Sequence, residues 1–243
     1  MVYLEKVKRG RQDRPRRTLL YGVHGVGKST FASQFPSPIF LPIEDGVSDL
    51  DVASFPIPRT ITDVYGSIIE LTSVEHDFKT LVIDSADWLE RLIWKKVCEI
   101  GGKQCITDFD YGKGYGKAAE IFSELLASFD QVREVGMNII LIAHADIKKF
   151  ANPEGDSYDR YVPKMHETCG SRAMEWADEV LFATYKTYVR QTQEGFGQHR
   201  GIGVGQGERV IRTSERPSHM AKNRLGMPDE LPLNYEVYAQ FLK

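Results

Sequence analysis

Two hydrophobic periodicities alternate along this chain. Short unbroken apolar runs mark strands, and stretches with apolar positions every three to four residues mark helices. "TLLYG" (Thr18 to Gly22) reads as a strand that feeds a glycine loop and then a helix beginning near Lys28. "PIFLPIED" (Pro38 to Asp45) is a second strand ending in two carboxylates, and a helix capped by Thr62 runs to about Leu71. "KTLVIDS" (Lys79 to Ser85) and "NIILIAH" (Asn138 to His144) read as buried strands, each closing on a polar side chain. Between them, Ala118, Ile121, Phe122, Leu125, Leu126, Phe129 and Val132 share one helical face, which Gly136 ends. After a polar stretch to Thr168 come a short helix from about Ser171 to Ala177 and the strand "EVLFATYKTYV". Six glycines between Gly195 and Gly207 suggest a hairpin tip, and "RVIRTSE" returns antiparallel. The order predicts an α/β fold: a mainly parallel central sheet flanked by helices, with antiparallel strands near the C-terminus.

At 243 residues the chain suits one domain, spanning residues 18–243, behind a basic arm at 1–17. In that arm Lys6, Lys8, Arg9, Arg11, Arg14, Arg16 and Arg17 face only Glu5 and Asp13. It is either a solvated tail or a contact for nucleic acid or a neighbouring subunit. The whole chain carries a formal charge of -3, so any nucleic-acid binding must use local patches. Cys98, Cys105 and Cys169 form no CxxC pair, and His166 with Cys169 lacks a second pair, which argues against zinc. Sparse cysteines, no signal-peptide core and no membrane-length apolar run predict a soluble cytoplasmic protein without membrane partners.

The sharpest chemical signal is "GVHGVGKS" (Gly22 to Ser29), a full G-x-x-x-x-G-K-[ST] match between a strand and a helix. Gly22, Gly25, Val26 and Gly27 would offer backbone N–H groups to phosphate oxygens, and Thr30 continues into the helix N-terminus. Lys28 would reach the β- and γ-phosphates of ATP, and Ser29 would ligate Mg²⁺. Asp84, closing "TLVID", is the expected second support for that metal. Orienting an attacking water falls to Glu44 or Asp87. Glu44 is preferred because it ends the strand after the phosphate-loop helix, with Asp45 as a nearby substitute, while Asp87 sits where helix capping is the commoner role. His144, at the carboxyl end of its strand, could contact the γ-phosphate and signal nucleotide state to the following loop.

These motifs in this order resemble the RecA-like NTPases, from about Thr18 to Arg224. "FLPIEDG" looks like the strand bearing that family's water-activating glutamate, "LVIDSAD" like its Walker B segment, and "NIILIAHAD" like the strand ending in a γ-phosphate sensor, with histidine replacing glutamine. "ETCGSRAMEWADEVLFATYK" resembles the segment closing the second DNA-binding loop. "AKNR" resembles the element projected onto a neighbour's ATP, which would make Lys222 and Arg224 trans-acting fingers; otherwise they are surface cations. "LLYGVHGVGKSTFA", "DYGKGYGKAAE" and "HMAKNRLGMPDELPL" are closest in flavour to the phage "Sak-four" type of single-strand annealing recombinase. The resemblance implies a homo-oligomeric, DNA-stimulated ATPase that anneals single-stranded DNA. A single-strand DNA-binding protein would be a possible partner, and the bacterial host's cytoplasm its location if phage-encoded.

Two segments fit the DNA-binding loops of such proteins. "GGKQCITDFDYGKGYGK" offers Lys113, Tyr115 and Lys117, and Asp146 to Thr168 offers Lys148, Lys149, Phe150, Arg160, Tyr161 and Lys164. Cations with interleaved aromatics suit unpaired strands, although Asp108, Asp110, Asp146, Asp156 and Asp159 oppose them. A helicase-type motor and a nucleotide-gated interaction protein without DNA binding stay open as alternatives. A small-molecule kinase ranks lower, for want of an arginine-rich lid.

Overall fold

A computed structural model describes residue 4 and residues 7–10, 14–194 and 198–242. Its centre is one large sheet in which β1 (Arg17–Gly22) lies between β7 (Glu179–Tyr185) and β5 (Asn138–Phe150), both parallel to it. Beyond β5 come β4 (Thr80–Asp84), β2 (Pro38–Pro42) and β3 (Ala53–Ser54), also parallel. On the other side β10 (Arg209–Arg212) and β11 (Glu230–Pro232) complete the sheet antiparallel. This is the mainly parallel α/β sheet with C-terminal antiparallel strands that the hydrophobic pattern implies.

Strand residues alternate between two cores, as a pleated sheet covered on both faces requires. Leu19, Tyr21, Leu81, Ile83, Ile139 and Leu141 pack under α2 (Ile61–Ser73), α3 (Ala86–Gly101), α4 (Lys113–Glu134) and α5 (Glu167–Trp176). Leu20, Phe40, Val82, Ile140, Ile142 and Leu181 face α1 (Lys28–Ala32) and α6 (Tyr235–Ala239).

Several boundaries differ from the sequence expectations. The cap of α2 is Thr60, not Thr62: its hydroxyl accepts from the Asp63 N–H at 3.3 Å, and Asp63 accepts from the Thr60 N–H at 2.9 Å. This reciprocal box satisfies two helix-end donors at once, which Thr62 inside the first turn cannot do. α4 begins at Lys113, so the "KGYGK" stretch is helical rather than a loop. Gly114 makes that start possible, because a Cβ there would lie 2.7 Å from the Ile106 carbonyl oxygen. β5 does not stop at His144 but continues to Phe150 and pairs antiparallel with β6 (Tyr158–Pro163), so the expected long loop is a β-hairpin arm.

"EVLFATYKTYV" splits into β7 and β8 (Tyr188–Glu194), and β8 pairs with β9 (Gln198–Val204) in a separate two-stranded sheet. Of the hairpin tip expected between Gly195 and Gly207, residues 198–204 are strand β9 instead, because they pair with β8, and Gly195 and Gly197 fall outside the described residues. So do Lys6 and Arg11 of the basic arm. Arg16 and Arg17, expected in that arm, are tied into the domain through Glu179, Asp130 and Asp178. Among the described residues no helix is long and apolar enough to cross a membrane, and no group of three ligating side chains could hold a metal by itself.

Candidate nucleotide site

β1 delivers the chain to the carboxyl edge of the sheet, where Val23 to Gly27 turn into α1. Gly25 and Gly27 hold φ of 70° and 99°, the left-handed region in which glycine is unstrained. At Gly22 the constraint is space: a Cβ would sit 2.2 Å from the Ala183 carbonyl oxygen on β7. The aliphatic Val26 is buried and anchors the loop, while Thr30 faces solvent.

Lys28 is folded over this loop, its ammonium donating to the carbonyls of Gly22 at 3.2 Å and Val23 at 3.1 Å. Burial draws it below the ordinary lysine value, against the attraction of Asp84, Asp87 and Glu44. Ser29 Oγ donates to Asp84 Oδ2 at 2.5 Å. Burial pushes the Asp84 carboxyl up; the Ser29 bond opposes that, and nearby Glu44 adds to it. The hydroxyl and the carboxylate are hard oxygen donors side by side, next to a buried lysine. That donor set fits Mg²⁺, which binds few protein oxygens and otherwise water and phosphate.

Around this centre stand the other polar strand-end residues. Glu44 lies just past β2, with its side chain 25% exposed, and accepts from Ser85 Oγ at 2.8 Å. Ser85 therefore takes the N-cap position of α3 without capping it through its side chain. Asp45 instead accepts from Ser48 at 2.9 Å. Asp87, in the first turn of α3, is buried and aims at β5: it accepts from the backbone N–H of His144 at 3.2 Å, and its Oδ2 lies 3.0 Å from Nδ1 of that ring. Burial would raise the Asp87 carboxyl, yet these His144 contacts outweigh it and hold it below the usual carboxylate range.

Three further residues adjoin the loop and were not anticipated. His24 stacks on His144 with centroids 4.2 Å apart. The His144 ring is the main reason that His24 lies below the ordinary imidazole value, followed by burial and by Lys28 and Lys164. Tyr185 donates its hydroxyl to the Gly25 carbonyl at 2.9 Å. Arg209 Nη1 comes within 3.1 Å of the point where a Cβ on Gly27 would stand. Tyr185 and Arg209 are partners in the β7–β10 register, a juxtaposition that only the strand pairing reveals. His24 had a signal, its place inside the phosphate-loop motif.

A family profile described as an AAA domain matches residues 14–225. This chain belongs to that AAA-domain family. No curated protein sequence matches it. Among solved structures it is similar to a KaiC-like protein from the hyperthermophilic archaeon Pyrococcus horikoshii OT3, at 15% identity and a TM-score of 0.39, covering 82% of this chain and 79% of that one. Family and phosphate loop together make this AAA domain a P-loop NTPase.

Lys222 and Arg224 lie at the opposite edge of the AAA domain's sheet from its own phosphate loop. Lys222 exchanges backbone hydrogen bonds of 2.9 Å with Val180, near the start of β7, whereas the loop leaves β1 beside Ala183. Three strand residues, ~10 Å, separate the two edges before any loop is counted. The Lys222 ammonium donates to the carbonyls of Met174 and Glu175 at 3.1 Å and Ala177 at 2.6 Å, closing the C-terminus of α5. Arg224 reaches Asp178 at 3.2 Å with its side chain 55% exposed. Asp178 also pairs with Arg17 and Arg133, so one carboxylate faces three guanidinium groups. Just upstream, the Tyr21 hydroxyl donates to the Met220 carbonyl at 2.6 Å and accepts from its N–H at 3.0 Å.

The candidate DNA residues divide by burial. Lys113, Lys117, Lys148, Lys149 and Lys164 are exposed in the AAA domain. The aromatics expected to stack on bases are packed instead. Tyr115 lies on His166 at 4.3 Å, Tyr161 on Phe182 at 4.9 Å, and Phe150 beside Tyr158 at 5.2 Å. Arg160 is buried and paired with Glu215 at 2.7 Å. Apolar rings find more contact surface in the protein than in water, and the arm's strand geometry turns them inward.

Proposed function

We propose that this AAA domain is an ATP-dependent, oligomeric DNA recombination protein, with ATP bound between subunits and single-stranded DNA held on the lysine-bearing arm. The observation that carries it is the distance between the two halves of a phosphate site within one chain. Lys28, Ser29, Asp84 and Glu44 gather at one sheet edge, while Arg224 stands exposed at the other, in a cluster with cationic excess around Asp178. A neighbour's triphosphate at that edge would find Arg224 in addition to the Lys28 and Arg209 of its own protomer.

In this reading Lys28 exchanges the Gly22 and Val23 carbonyls for β- and γ-phosphate oxygens. Ser29 and Asp84 would hold Mg²⁺, which supplies charge neutralisation at the phosphates. Glu44, oriented by Ser85, accepts hydrogen bonds from the attacking water. Arg224 from the adjacent subunit stabilises charge on the transferring phosphoryl group. Lys222 supports that finger by fixing the segment to α5. The exposed Lys148, Lys149 and Lys164, on the hairpin that grows directly out of the His144 strand, would contact backbone phosphates. The packed aromatics leave stacking no part in this contact. Annealing is the activity that the motif resemblance favours, with a single-strand DNA-binding protein as the natural partner.

Mixing tests the shared site. Arg224→Ala and Glu44→Ala variants, each inactive alone, should regain turnover when combined, because one mixed interface is intact. No recovery at any ratio would overturn the shared site. Annealing of complementary labelled strands, set beside unwinding of a forked duplex, separates a recombinase from a motor. Salt-sensitive, ATP-dependent retention of labelled oligonucleotide would exclude a protein that never touches DNA, and no retention would exclude the DNA assignment.

A further inference from the structure

Protein partners hold His144 on two sides. Its Nδ1 lies 3.0 Å from Oδ2 and 3.2 Å from Oδ1 of Asp87, and its own backbone N–H donates to that same carboxylate at 3.2 Å. The His24 ring covers one face, tilted by 23°. Asp87 is 5% exposed and cannot turn away to solvent.

A carboxylate only accepts hydrogen bonds, so the proton of the neutral imidazole sits on Nδ1. Nε2 then carries a lone pair. Phosphate oxygens also carry only lone pairs, and a neutral His144 has nothing to offer them. The imidazolium does, through a second N–H. A glutamine in this position would donate its amide without any change of protonation, so the histidine is a different device.

We propose that Asp87 is a positioning residue that turns His144 into a proton-linked reader of the terminal phosphate: the site takes up one proton with a nucleoside triphosphate and none with the diphosphate. The inference rests on the nucleotide-site reading above. The proton comes from solvent and forms the Nε2–H bond that donates to a γ-phosphate oxygen. The uptake itself makes no other bond; the proton returns to solvent when inorganic phosphate, formed by water's cleavage of the β–γ bond, leaves. Asp87 of α3, Glu44 at 4.0 Å from Nδ1 beyond β2, and Asp84 of β4 favour the cation. His24 stacks on the ring, and Lys28 of α1 and Lys164 after β6 stand near that His24. The bound triphosphate adds the negative charge that tips this balance.

The test is calorimetric titration in two buffers of different ionisation enthalpy, with adenosine 5′-(3-thiotriphosphate) or ADP in excess Mg²⁺. Wild type should take up protons with the triphosphate analogue, whose Kd should rise with pH, while ADP shows neither effect. His144→Gln should bind the analogue with no uptake and a flat pH profile. Asp87→Asn keeps the shape but removes the charge, and should shift the wild-type profile to lower pH while leaving ADP affinity within about twofold. Equal uptake by wild type and His144→Gln, or by analogue and ADP, would overturn the proposal. So would an Asp87→Asn profile that weakens both nucleotides alike with no shift in pH. If wild type binds neither nucleotide, the underlying site reading fails and the proposal goes with it.

Discussion

Ser29 and Asp84 are joined by a 2.5 Å hydrogen bond that spans the sheet's central gap, since α1 follows β1, Asp84 ends β4, and β5 runs between those two strands. The bond holds both oxygens where a shared cation would need them. Ser29→Ala should cut Mg²⁺-dependent ATP turnover by roughly 10²-fold or more, the size seen when one preorganised charge-stabilising group is lost. Stability should fall by about 1–2 kcal/mol, because the buried Asp84 carboxylate loses its Ser29 donor. Wild-type turnover in this variant would dissociate the pair from the metal.

Lys222 and Arg224 should separate under mutation, because one is internally bonded and the other exposed. Lys222→Ala strips three carbonyls at the end of α5 of their donor. It should lower stability by about 1–2 kcal/mol and turnover as well. Arg224→Ala should leave urea unfolding within about 0.5 kcal/mol of wild type, as an exposed pair contributes little, while reducing turnover at least as severely. Paired denaturation and ATPase assays read both effects.

Asp178 gives an acid signature. Burial would raise its carboxyl, but its hydrogen bonds and ion pairs with Arg17, aided by Arg133, hold it below the usual value. A depressed folded value means stability that is present above the unfolded carboxylate range near ~4 and is lost as pH falls through the lower folded value. Asp178→Asn should therefore destabilise by about 3 kcal/mol at neutral pH, with wild type and variant converging in acid. Urea titrations at neutral pH and below pH ~3 would show whether the gap closes.

Gly22→Ala tests the packing beneath the phosphate loop. The added methyl carbon would meet the Ala183 carbonyl at 2.2 Å, between two central strands with no flexible atom to yield. Loss of soluble folded protein, or a fall of several kcal/mol with nucleotide binding gone, is expected. A stable, nucleotide-binding variant would mean that β1 and β7 can part.

The central strands and the phosphate loop were legible because their signals are local. An apolar run closed by Asp84 or His144 has few other readings, and Gly22 to Ser29 is a complete motif. The hairpin arm was not legible. "ADIKKF" (Ala145 to Phe150) is mostly solvent-facing, so burial imposes no alternation on it and only the partner strand makes it β. The start of α4 was hidden by glycines that usually mark loops, one of which is there to clear the Ile106 carbonyl. Tyr185 and Arg209 needed an antiparallel pairing across more than twenty residues. Asp87 is the helix-end residue that its sequence position suggests, but its side-chain partner, His144, lies on β5, far away in sequence.

The two hydrogen bonds between Tyr21 and Met220 bear on how such an assembly would behave. Tyr21 immediately precedes the phosphate loop, and Met220 is two residues from Lys222, beside the Arg224 proposed to reach a neighbour's nucleotide. A single phenol thus fastens the two ends of the domain together. In a row of like subunits, any tug that a triphosphate exerts on β1 would be felt one site further along, and the row would respond as a geared train rather than as independent catalysts.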